Sequence, residues 1–596
     1  MSDVLEVKQT LNRDTLASEI GNLWDKWNNV RKPWLASKKE LREYLFATDT
    51  KSTSNKKLPW KNSTVTPKLT QIRDNLHANY MAALFPNENW LIWEGSDQDA
   101  VSKEKRQIIE AYMRNKCKAS GFSTTVSQLI YDYIDYGNVI AGHEYVSNIK
   151  IDEKKVPQVL YMGPRALRVS PLDVVFDPTA SSFDEAPFIH RVLKSFGELL
   201  KDVATRPGLR YNPTIIAECE KYRRNYTDYS DMIKHAGFTV DGFPSLENYF
   251  QSNNVELLHF WGDIYDAKTG ILHQDKLITV IDRIHILRIL DNPSWLGTKP
   301  YKHCGWRLRP DNLWAQGPLD QLIGMQYRID HLENLKADVF DLIAHPVVKI
   351  HGTTVEEFTF GPGVMIFEGD EGEVTFDRPD AGALTADMQI DIYMNKMEEL
   401  AGAPKQAMGI RTPGEKTKYE VQVLENGAGR IFQSKVNWFE TNIIEPLLNS
   451  MLEESRRNLV EKDQIKLVDP DTGAAQFMDI TKEDITAKGR LYPVGARHFA
   501  EQAKFAQDLT TTMQLMEKMP TVKPHISGKA VAKALEHVLG WESYGMVQPN
   551  IAIAEQLETQ KLMNVAADQI ARDDMTPTEL QPGDLPDASN PPQKPA

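Results

Sequence analysis

The hydrophobic positions of this chain change period along its length, so different parts predict different elements. The first hundred residues have the pattern of aromatic-rich helices. A helical pattern then ends near Gly137 and passes into a strand over Val139 to Val146. Between residues 255 and 287 apolar and polar residues alternate as in strands, with Asp266 to Gly270 as a hairpin loop. The first half therefore predicts mixed α and β structure.

A sustained helical period begins after Gly317-Pro318 and stops at His345-Pro346. Proline is favoured at the first helical position, and it disfavours helix at the residue before it, so both dipeptides predict boundaries. The positions that recur at spacings of three and four are 322, 325, 329, 332, 336, 339 and 343, all apolar except Lys336. This helix packs either on the core of its own chain or on copies of itself.

Short alternating strands interrupted by glycines follow, and then a second helical run over 384–402. Next comes "APKQAMGIRTPGEKTK", residues 403–418, where two prolines and two glycines break the helical pattern. Thr417 and Glu420 have the spacing of a capping box at the start of a long helix. Glycines 427 and 429 inside that helix predict a kink, and Pro446 predicts a second bend.

The remaining segments predict a hairpin, a helical region and a tail. "IKLVDPDTGAAQFMDI", residues 465–480, has the pattern of two strands around a turn, and residues 497–540 return to a helical period. The last 22 residues contain six prolines and no aromatic residue, which predicts disorder. The fold class expected for the whole chain is α+β, mostly helical.

Composition fits a folded protein of several lobes. The chain has 596 residues, 41% hydrophobic and 26% charged, and a single core stops growing at roughly half that length. The three cysteines are far apart, which favours reduced thiols over disulfides or a zinc cluster. The first residues lack a signal-peptide pattern, and no apolar run reaches the roughly 18 residues needed to span a bilayer. We therefore expect a protein that is neither secreted nor membrane-spanning.

The sequence contains none of the common catalytic or cofactor motifs. It has no G-x-x-x-x-G-K-[ST] loop, no H-E-x-x-H and no G-x-S-x-G, and "ENGAGRIF" lacks the third glycine of a dinucleotide site. "DPDTGAAQFMDI" has Gly473 where a calcium loop needs an oxygen ligand. "KYRRNYTDYSDMIKH" could contact nucleic acid or form a solvated helix face. We expect no catalytic residues, no metal and no cofactor, although carboxylates for acid–base chemistry are abundant.

Acidic charge is concentrated in one part of the chain. Residues 319–402 contain 17 Asp or Glu and five Lys or Arg, a net charge of −12 in a chain whose total is −14. The segment that follows is basic, with Lys405, Arg411, Lys416 and Lys418 against Glu415. The acids either form a solvated face or line the lumen of a ring, where they would repel a polyanion.

The ordered set of these segments resembles bacteriophage portal proteins, the head-to-tail connectors at one vertex of the capsid. The resemblance covers residues 131 to 448. It is carried by "DYIDYGNVIAGHEYV", "VSPLDVVFDPTA", "WAQGPLDQLIGMQYRIDHLENLKADVFDLIAHPVVKI", "GAPKQAMGIRTPGEKTKYEVQVLENGAG" and "FETNIIEPLL".

The resemblance implies a subunit with wing, stem, clip and crown that assembles into a ring, a dodecamer in this family. Transferred to this sequence, the regions are as follows: wing 1–316, first stem helix 317–344, clip 345–382, second stem helix 383–402, tunnel loop 403–418, wing helix and hairpin 419–496, crown 497–545, and C-terminal helix with proline-rich tail 546–596.

The implied function is a non-enzymatic DNA channel used for genome packaging, retention and ejection, located in the virion and assembled in the host cytoplasm. The implied partners are double-stranded DNA, the terminase that hydrolyses ATP, the capsid protein, and a tail or adaptor protein at the clip. We expect the tunnel-loop bases Lys405, Arg411, Lys416 and Lys418 to approach DNA phosphates. The acidic channel wall is expected to consist of Asp387, Asp391, Glu398 and Glu399.

Two other classes remain open at this point. The same acidic helices could assemble in another virion structural protein, such as a scaffold or tail component. An enzyme of unfamiliar type could use some of the carboxylates. A ring with a central hole would distinguish the portal from both.

Overall fold

Helices and strands alternate through most of the chain, and their bounds come from a computed structural model. It describes residues 14–58, 61–86, 90–96, 103–151, 157–221, 254–266, 268–294, 298–345, 347–351, 373–377, 381–401, 431–459, 462–468 and 475–493. The chain divides into two units, Met1–Leu467 with Phe477–Phe499, and Val468–Gln476 with Ala500–Ala596. Nearly all described residues belong to the first unit, and those of the second unit are 468, 475 and 476.

The helices of the described residues include α1 (Asp14–Val30), α2 (Lys32–Phe46), α3 (Lys68–Leu84), α4 (Lys103–Ser120), α5 (Phe122–Asp135), α6 (Phe196–Thr205), α7 (Pro213–Lys221), α8 (Ile323–Ala344), α9 (Asp387–Ala401), α10 (Glu445–Asn458) and α11 (Lys482–Ile485). None of them combines the length and the apolarity needed to cross a bilayer.

The strands are β1 (Leu91–Gly95), β2 (Asn138–Ile151), β3 (Pro157–Val169), β4 (Val174–Phe176), β5 (Phe188–Ser195), β6 (Asn254–Asp266), β7 (Ile271–Ile281), β8 (His285–Asp291), β9 (Tyr301–Gly305), β10 (Arg307–Arg309), β11 (Asn312–Gln316), β12 (Val347–His351), β13 (Glu373–Asp377), β14 (Asp463–Val468), β15 (Ala475–Ile480) and β16 (Gly489–Pro493). They form a five-stranded sheet in the order β4-β5-β6-β7-β8, a three-stranded sheet β3-β2-β9, and the pairs β1-β16, β10-β11, β12-β13 and β14-β15.

The five-stranded sheet is an antiparallel meander covered by helices on both faces. Successive side chains of a strand point to opposite faces, and β6 shows the result: Leu258 packs with Trp24 of α1, whereas Leu257 packs with Leu199 of α6 and Ile216 of α7. Burial on both sides explains why β6 has an almost continuous apolar run.

The largest core lies among α2 to α5 and α8 to α10, with β1 and β16 at its edge. Tyr80 of α3 makes an edge contact with Tyr133 of α5, and the Tyr133 ring lies 5.1 Å from that of Phe439. Apolar side chains from both predicted stem helices enter this core, including Ile329 and Met397. The inner parts of both helices are therefore built into the body of the protein.

Several predictions from the sequence are confirmed. The fold is α+β; α5 ends at Asp135, β2 covers the predicted strand, and the β6–β7 hairpin turns where predicted. The strands β14 and β15 form the predicted hairpin. Before Pro446 the helix over 431–439 widens into a π-helical turn, Glu440–Ile444, and continues as α10. The irregularity fits the missing amide hydrogen of that proline.

The start of the first predicted stem helix is wrong by about one turn. The sequence predicts a helix from Pro318, but α8 begins at Ile323. The Gly317 amide donates to Asp320 Oδ2 at 2.8 Å, and the Leu322 amide donates to the Leu319 carbonyl at 2.9 Å. These bonds hold a tight turn in place of the first helical turn.

Candidate functional site

The two helices assigned to a stem lie side by side and are joined at one end by a strand pair. Helix α8 leads into β12, and β12 pairs antiparallel with β13 from Val347↔Asp377 to His351↔Glu373. Lys336 Nζ of α8 donates to Asp387 Oδ1 of α9 at 2.6 Å. The structure therefore brings together the elements that the sequence analysis placed in stem and clip.

One face of α8 binds an extended segment from the N-terminal region through a row of polar side chains. The Thr66 amide donates to Asp330 Oδ1 at 3.0 Å, and the Thr64 amide donates to Asn334 Oδ1 at 2.8 Å. The Asn62 amide donates to Asp338 Oδ1 at 2.9 Å. We call Gln326, Asp330, Asn334 and Asp338, with segment 62–66, the polar ladder.

The ladder forms because two repeats match in length. Residues four apart on a helix rise about 6.0 Å, and residues two apart on an extended chain advance about 6.6 Å. Successive rungs, four residues apart on α8, can therefore bind residues that are two apart in the segment. Two side-chain amides of α8 also donate to the segment. Asn334 Nδ2 donates to the Thr64 carbonyl at 2.7 Å, and Gln326 Nε2 donates to the Thr66 carbonyl at 2.5 Å. The segment gains strand-like hydrogen bonds without a partner strand.

Asp330 is the buried centre of the ladder. Its Oδ1 accepts from the Thr66 amide and from Gln326 Nε2, while its buried Oδ2 has no hydrogen-bond partner within the described residues. Burial of the carboxyl raises its pKa to about 7, against the opposing effect of those two hydrogen bonds. This acid therefore does not carry a full negative charge at neutral pH, although the sequence count includes it.

Helix α9 is attached to the body by a buried ion pair. Lys68, at the start of α3, pairs with Glu398, and the side chains are 8% and 4% exposed. Lys68 Nζ also donates to Gln71 Oε1 at 2.9 Å. Both charges have left water, so each depends on the other for compensation.

The four residues of the predicted acidic wall differ in exposure. Asp387, Asp391 and Glu399 are exposed on α9. Glu398 does not present its carboxylate to solvent, because the carboxylate is buried against Lys68. The inclusion of Glu398 in a repulsive wall is therefore corrected: its charge is balanced inside the chain.

Other acids of the same region are also engaged within the chain. Asp320 pairs with the buried Lys38, and Asp338 and Asp341 accept hydrogen bonds from Asn62. The net charge of −12 therefore overstates the negative potential of this region, since Asp320 and Glu398 pair with lysines outside the segment and burial of Asp330 favours its neutral form.

Both helices carry large apolar side chains that the single chain leaves in water. Phe340 is 54% exposed and Met388 is 74% exposed. We call the following set the assembly face: Leu335, Phe340 and Leu342 of α8, with Met388, Ile392 and Leu400 of α9. At about 100° per residue, Phe340 lies on the side of α8 away from Leu335 and Leu342, so the set is spread around the two helices and is not a single patch. Several large apolar side chains exposed on two neighbouring helices of a soluble protein indicate an interaction region.

Several predicted regions lie outside the described residues. These include the tunnel-loop bases Lys405, Arg411, Lys416 and Lys418, the interior of the predicted clip over 352–372, and the whole predicted crown. The capping box of Thr417 and Glu420 and the proline-rich tail also lie outside them.

Among the side chains that the structure places, no group of three His, Cys, Asp or Glu could hold a metal ion. The fold thus defines an α+β protein with two adjacent helices that expose apolar side chains. No model of a known protein family matches the chain, and no curated protein matches it.

Sequence reasoning missed the ladder and the Lys68–Glu398 pair. A signal for the ladder exists, since 326, 330, 334 and 338 are all polar at a spacing of four. A polar stripe on a helix ordinarily predicts a solvated face, and the partner segment lies about 270 residues earlier. Nothing local in the sequence distinguishes a stripe bound to another segment from a stripe bound to water.

Proposed function

We propose that this chain is a subunit of a phage portal ring, a DNA channel with α8 and α9 in its stem. The observation that supports the proposal best is the assembly face. Fully burying one such side chain is worth about 1.5–3 kcal/mol, so a chain that exposes six of them on two neighbouring helices gains by covering them with further copies of itself.

The attachments of α8 and α9 to the body determine which of their sides can contact another subunit. The ladder fixes one side of α8 to segment 62–66, and the Lys68–Glu398 pair fixes one side of α9 to α3. The sides not used in these attachments are left for neighbouring subunits. Helices held this firmly would present the same surface in every copy, as closed symmetric assembly requires.

The exposed acids of α9 differ in their position relative to the assembly face. With about 100° per residue, Asp387 and Asp391 lie to one side of Met388 and Ile392, whereas Glu399 lies between them. The Asp387 carboxylate accepts from Lys336 of α8, so its charge is balanced within the chain. In the proposed ring, Asp391 faces the lumen and weakens the adhesion of DNA to the wall.

The proposed assembly is tested by adding charge to the assembly face. The double variant Phe340→Glu, Met388→Glu should remain folded, since both side chains are exposed, but it should lose the large oligomer in mass photometry. The matched control is Leu272→Glu, which changes a 53% exposed leucine on the β6–β7 hairpin and should assemble normally. Equal assembly of the double variant and the wild type would contradict the proposal.

The tunnel-loop bases remain part of the proposal on the strength of the sequence. Cations on a loop between helices make weak, exchangeable phosphate contacts. Neutralising Lys405, Arg411, Lys416 and Lys418 together should impair DNA packaging or retention while rings still form. Unchanged length and retention of packaged DNA would exclude this role. Terminase, capsid protein and a tail or adaptor protein are the proposed partners.

A further inference from the structure

A polar row crosses four strands of the five-stranded sheet on the face that α6 and α7 cover. The backbone register places His190 of β5 opposite His259 of β6, His259 opposite Thr279 of β7, and Thr279 opposite Arg288 of β8. Directly opposite residues have their Cβ atoms about 4.5–5.5 Å apart, so the row is continuous.

The row lies between two apolar parts of the same sheet face. On one side Leu257 and Ile281 pack with α6 and α7, and on the other side Trp261 and Leu277 belong to a second apolar cluster. Placing imidazoles and a guanidinium among apolar neighbours costs free energy unless their polar atoms are satisfied. Packing of the sheet alone does not require these residue types.

Hydrogen bonds within the row determine where its donors are. Arg288 Nε donates to Thr279 Oγ1 at 2.9 Å, because a guanidinium has no acceptor. The Thr279 hydroxyl, 2.9 Å from His259 Nδ1, can then donate its own hydrogen to that nitrogen. Burial and the nearby cations Arg288, His190 and Lys194 lower the pKa of His259, so its ring is neutral and its proton lies on Nε2.

The charged neighbours make the row electropositive. Arg288 lies 4.8 Å from the centre of the Tyr211 ring and donates from Nη1 to the Leu209 carbonyl at 2.9 Å. No carboxylate of the described residues forms an ion pair with it. Tyr301 of β9 places its hydroxyl 3.3 Å from His190 Nδ1 at the other end of the row. The nearby acids are engaged elsewhere, Asp202 with Lys194 and Glu144 with Arg165.

We propose that His190, His259 and Arg288, with the hydroxyl of Tyr301, form a binding site for a phosphate-type oxyanion. His259 Nε2–H and the Arg288 guanidinium can donate to the anion, and His190 and Tyr301 share one hydrogen bond that leaves one donor between them. The one permanent charge among the four residues is positive. His190, His259, Arg288 and Tyr301 are all partly accessible. The site is separate from the assembly face and does not depend on the proposed channel.

Binding is tested by calorimetric titration of the full chain with inorganic phosphate and with sulfate, against sodium chloride at equal ionic strength. The expected result is saturable binding to the wild type that is at least about tenfold weaker in Arg288→Gln, because a charge-assisted hydrogen bond is lost. Arg490→Gln removes an exposed arginine from β16 and is the matched control. A titration with a short DNA duplex shows whether a phosphodiester can supply the same anion.

A second measurement does not depend on the folding of a variant. Phosphate should slow modification of His190 and His259 by diethyl pyrocarbonate in the wild type, with the exposed His345 unaffected as an internal control. Absence of saturable binding, equal binding by Arg288→Gln and Arg490→Gln, or equal protection of all three histidines would each overturn the proposal.

Discussion

Several buried ionisable side chains of the described residues are neutralised by an oppositely charged partner. Arg191 is fully buried and donates from Nε to Glu256 Oε1 at 2.5 Å, and Glu256 also accepts from Arg283 Nε at 2.7 Å. Asp330 differs, because amide donors bind one of its oxygens while no described residue binds the other. The protonation of Asp330 is therefore coupled to folding.

Asp330→Asn is expected to change the pH dependence of stability. The folded pKa of about 7 exceeds the ordinary value, so the folded chain holds the proton more tightly than the unfolded chain. The contribution of Asp330 to the free energy of unfolding therefore falls as pH rises from about 4 to about 7 and is constant above that. In urea unfolding experiments from pH 5 to 8, the free energy of unfolding of the variant should rise relative to that of the wild type as pH increases. The total change should be on the order of a few kcal/mol.

The control for this experiment is Asp391→Asn, which removes an exposed carboxylate from α9. Its stability should follow the pH profile of the wild type. A constant difference between Asp330→Asn and the wild type over the whole range would contradict the assignment.

Glu398→Gln and Glu399→Gln are expected to differ, although the residues are adjacent. Loss of the Glu398 charge leaves Lys68 buried without its partner, which typically costs about 3–5 kcal/mol. Glu399 is exposed, and its replacement should change the free energy of unfolding by less than about 0.5 kcal/mol. Denaturant titration measures both. Removing both charges, as in Lys68→Met with Glu398→Leu, should recover most of the loss.

At the scale of elements, close approach of backbones explains what holds α5, β2 and α8 together. Gly137 has φ +69°, and a Cβ atom at this position would lie 2.2 Å from the backbone nitrogen of Gly317. Gly317 in turn begins the turn that precedes α8. The two glycines therefore let the end of α5 touch the start of the predicted stem.

Gly137→Ala should consequently be far more damaging than Gly121→Ala. Gly121 has a similar φ of +70°, but a Cβ there would meet no atom within 4 Å. The Gly121 variant should lose only about 1 kcal/mol, the cost of left-handed backbone for alanine. Thermal unfolding compares the two, and similar melting temperatures would refute the importance of the Gly137–Gly317 contact.

The sequence predicted those elements whose signals are local. The end of α5 at Gly137, the β6–β7 hairpin and the stop of α8 at His345-Pro346 all depend on turn residues within a few positions. The start of α8 was missed because Asp320 satisfies the Gly317 amide and holds a turn where Pro318 alone predicts a helix.

Long-range pairing was not predictable from the sequence. The partners in the ladder are 260 to 276 residues apart, and Lys68 and Glu398 are 330 residues apart. Which acids of α9 are exposed depends on this long-range pairing. The sequence therefore could not show that Glu398 is buried whereas Glu399 is exposed. Among the proposed channel residues, the structure describes the four acids of α9, whereas the four bases lie outside the described residues.

The proposed function of the whole molecule depends on assembly. One side of α8 and one side of α9 are fixed to the body, and both helices still expose the apolar side chains of the assembly face. Charge alone does not support a channel, because several acids of the segment 319–402 are already paired or buried. Covering of the exposed apolar side chains by copies of the chain is the physical basis of the proposed ring.

Electron microscopy of the purified full chain, viewed along the symmetry axis, tests this claim most directly. We expect closed rings of about twelve subunits with a central hole wide enough for duplex DNA, and loss of those rings in the Phe340→Glu, Met388→Glu variant. Monomers, or compact oligomers without a central hole, would contradict it.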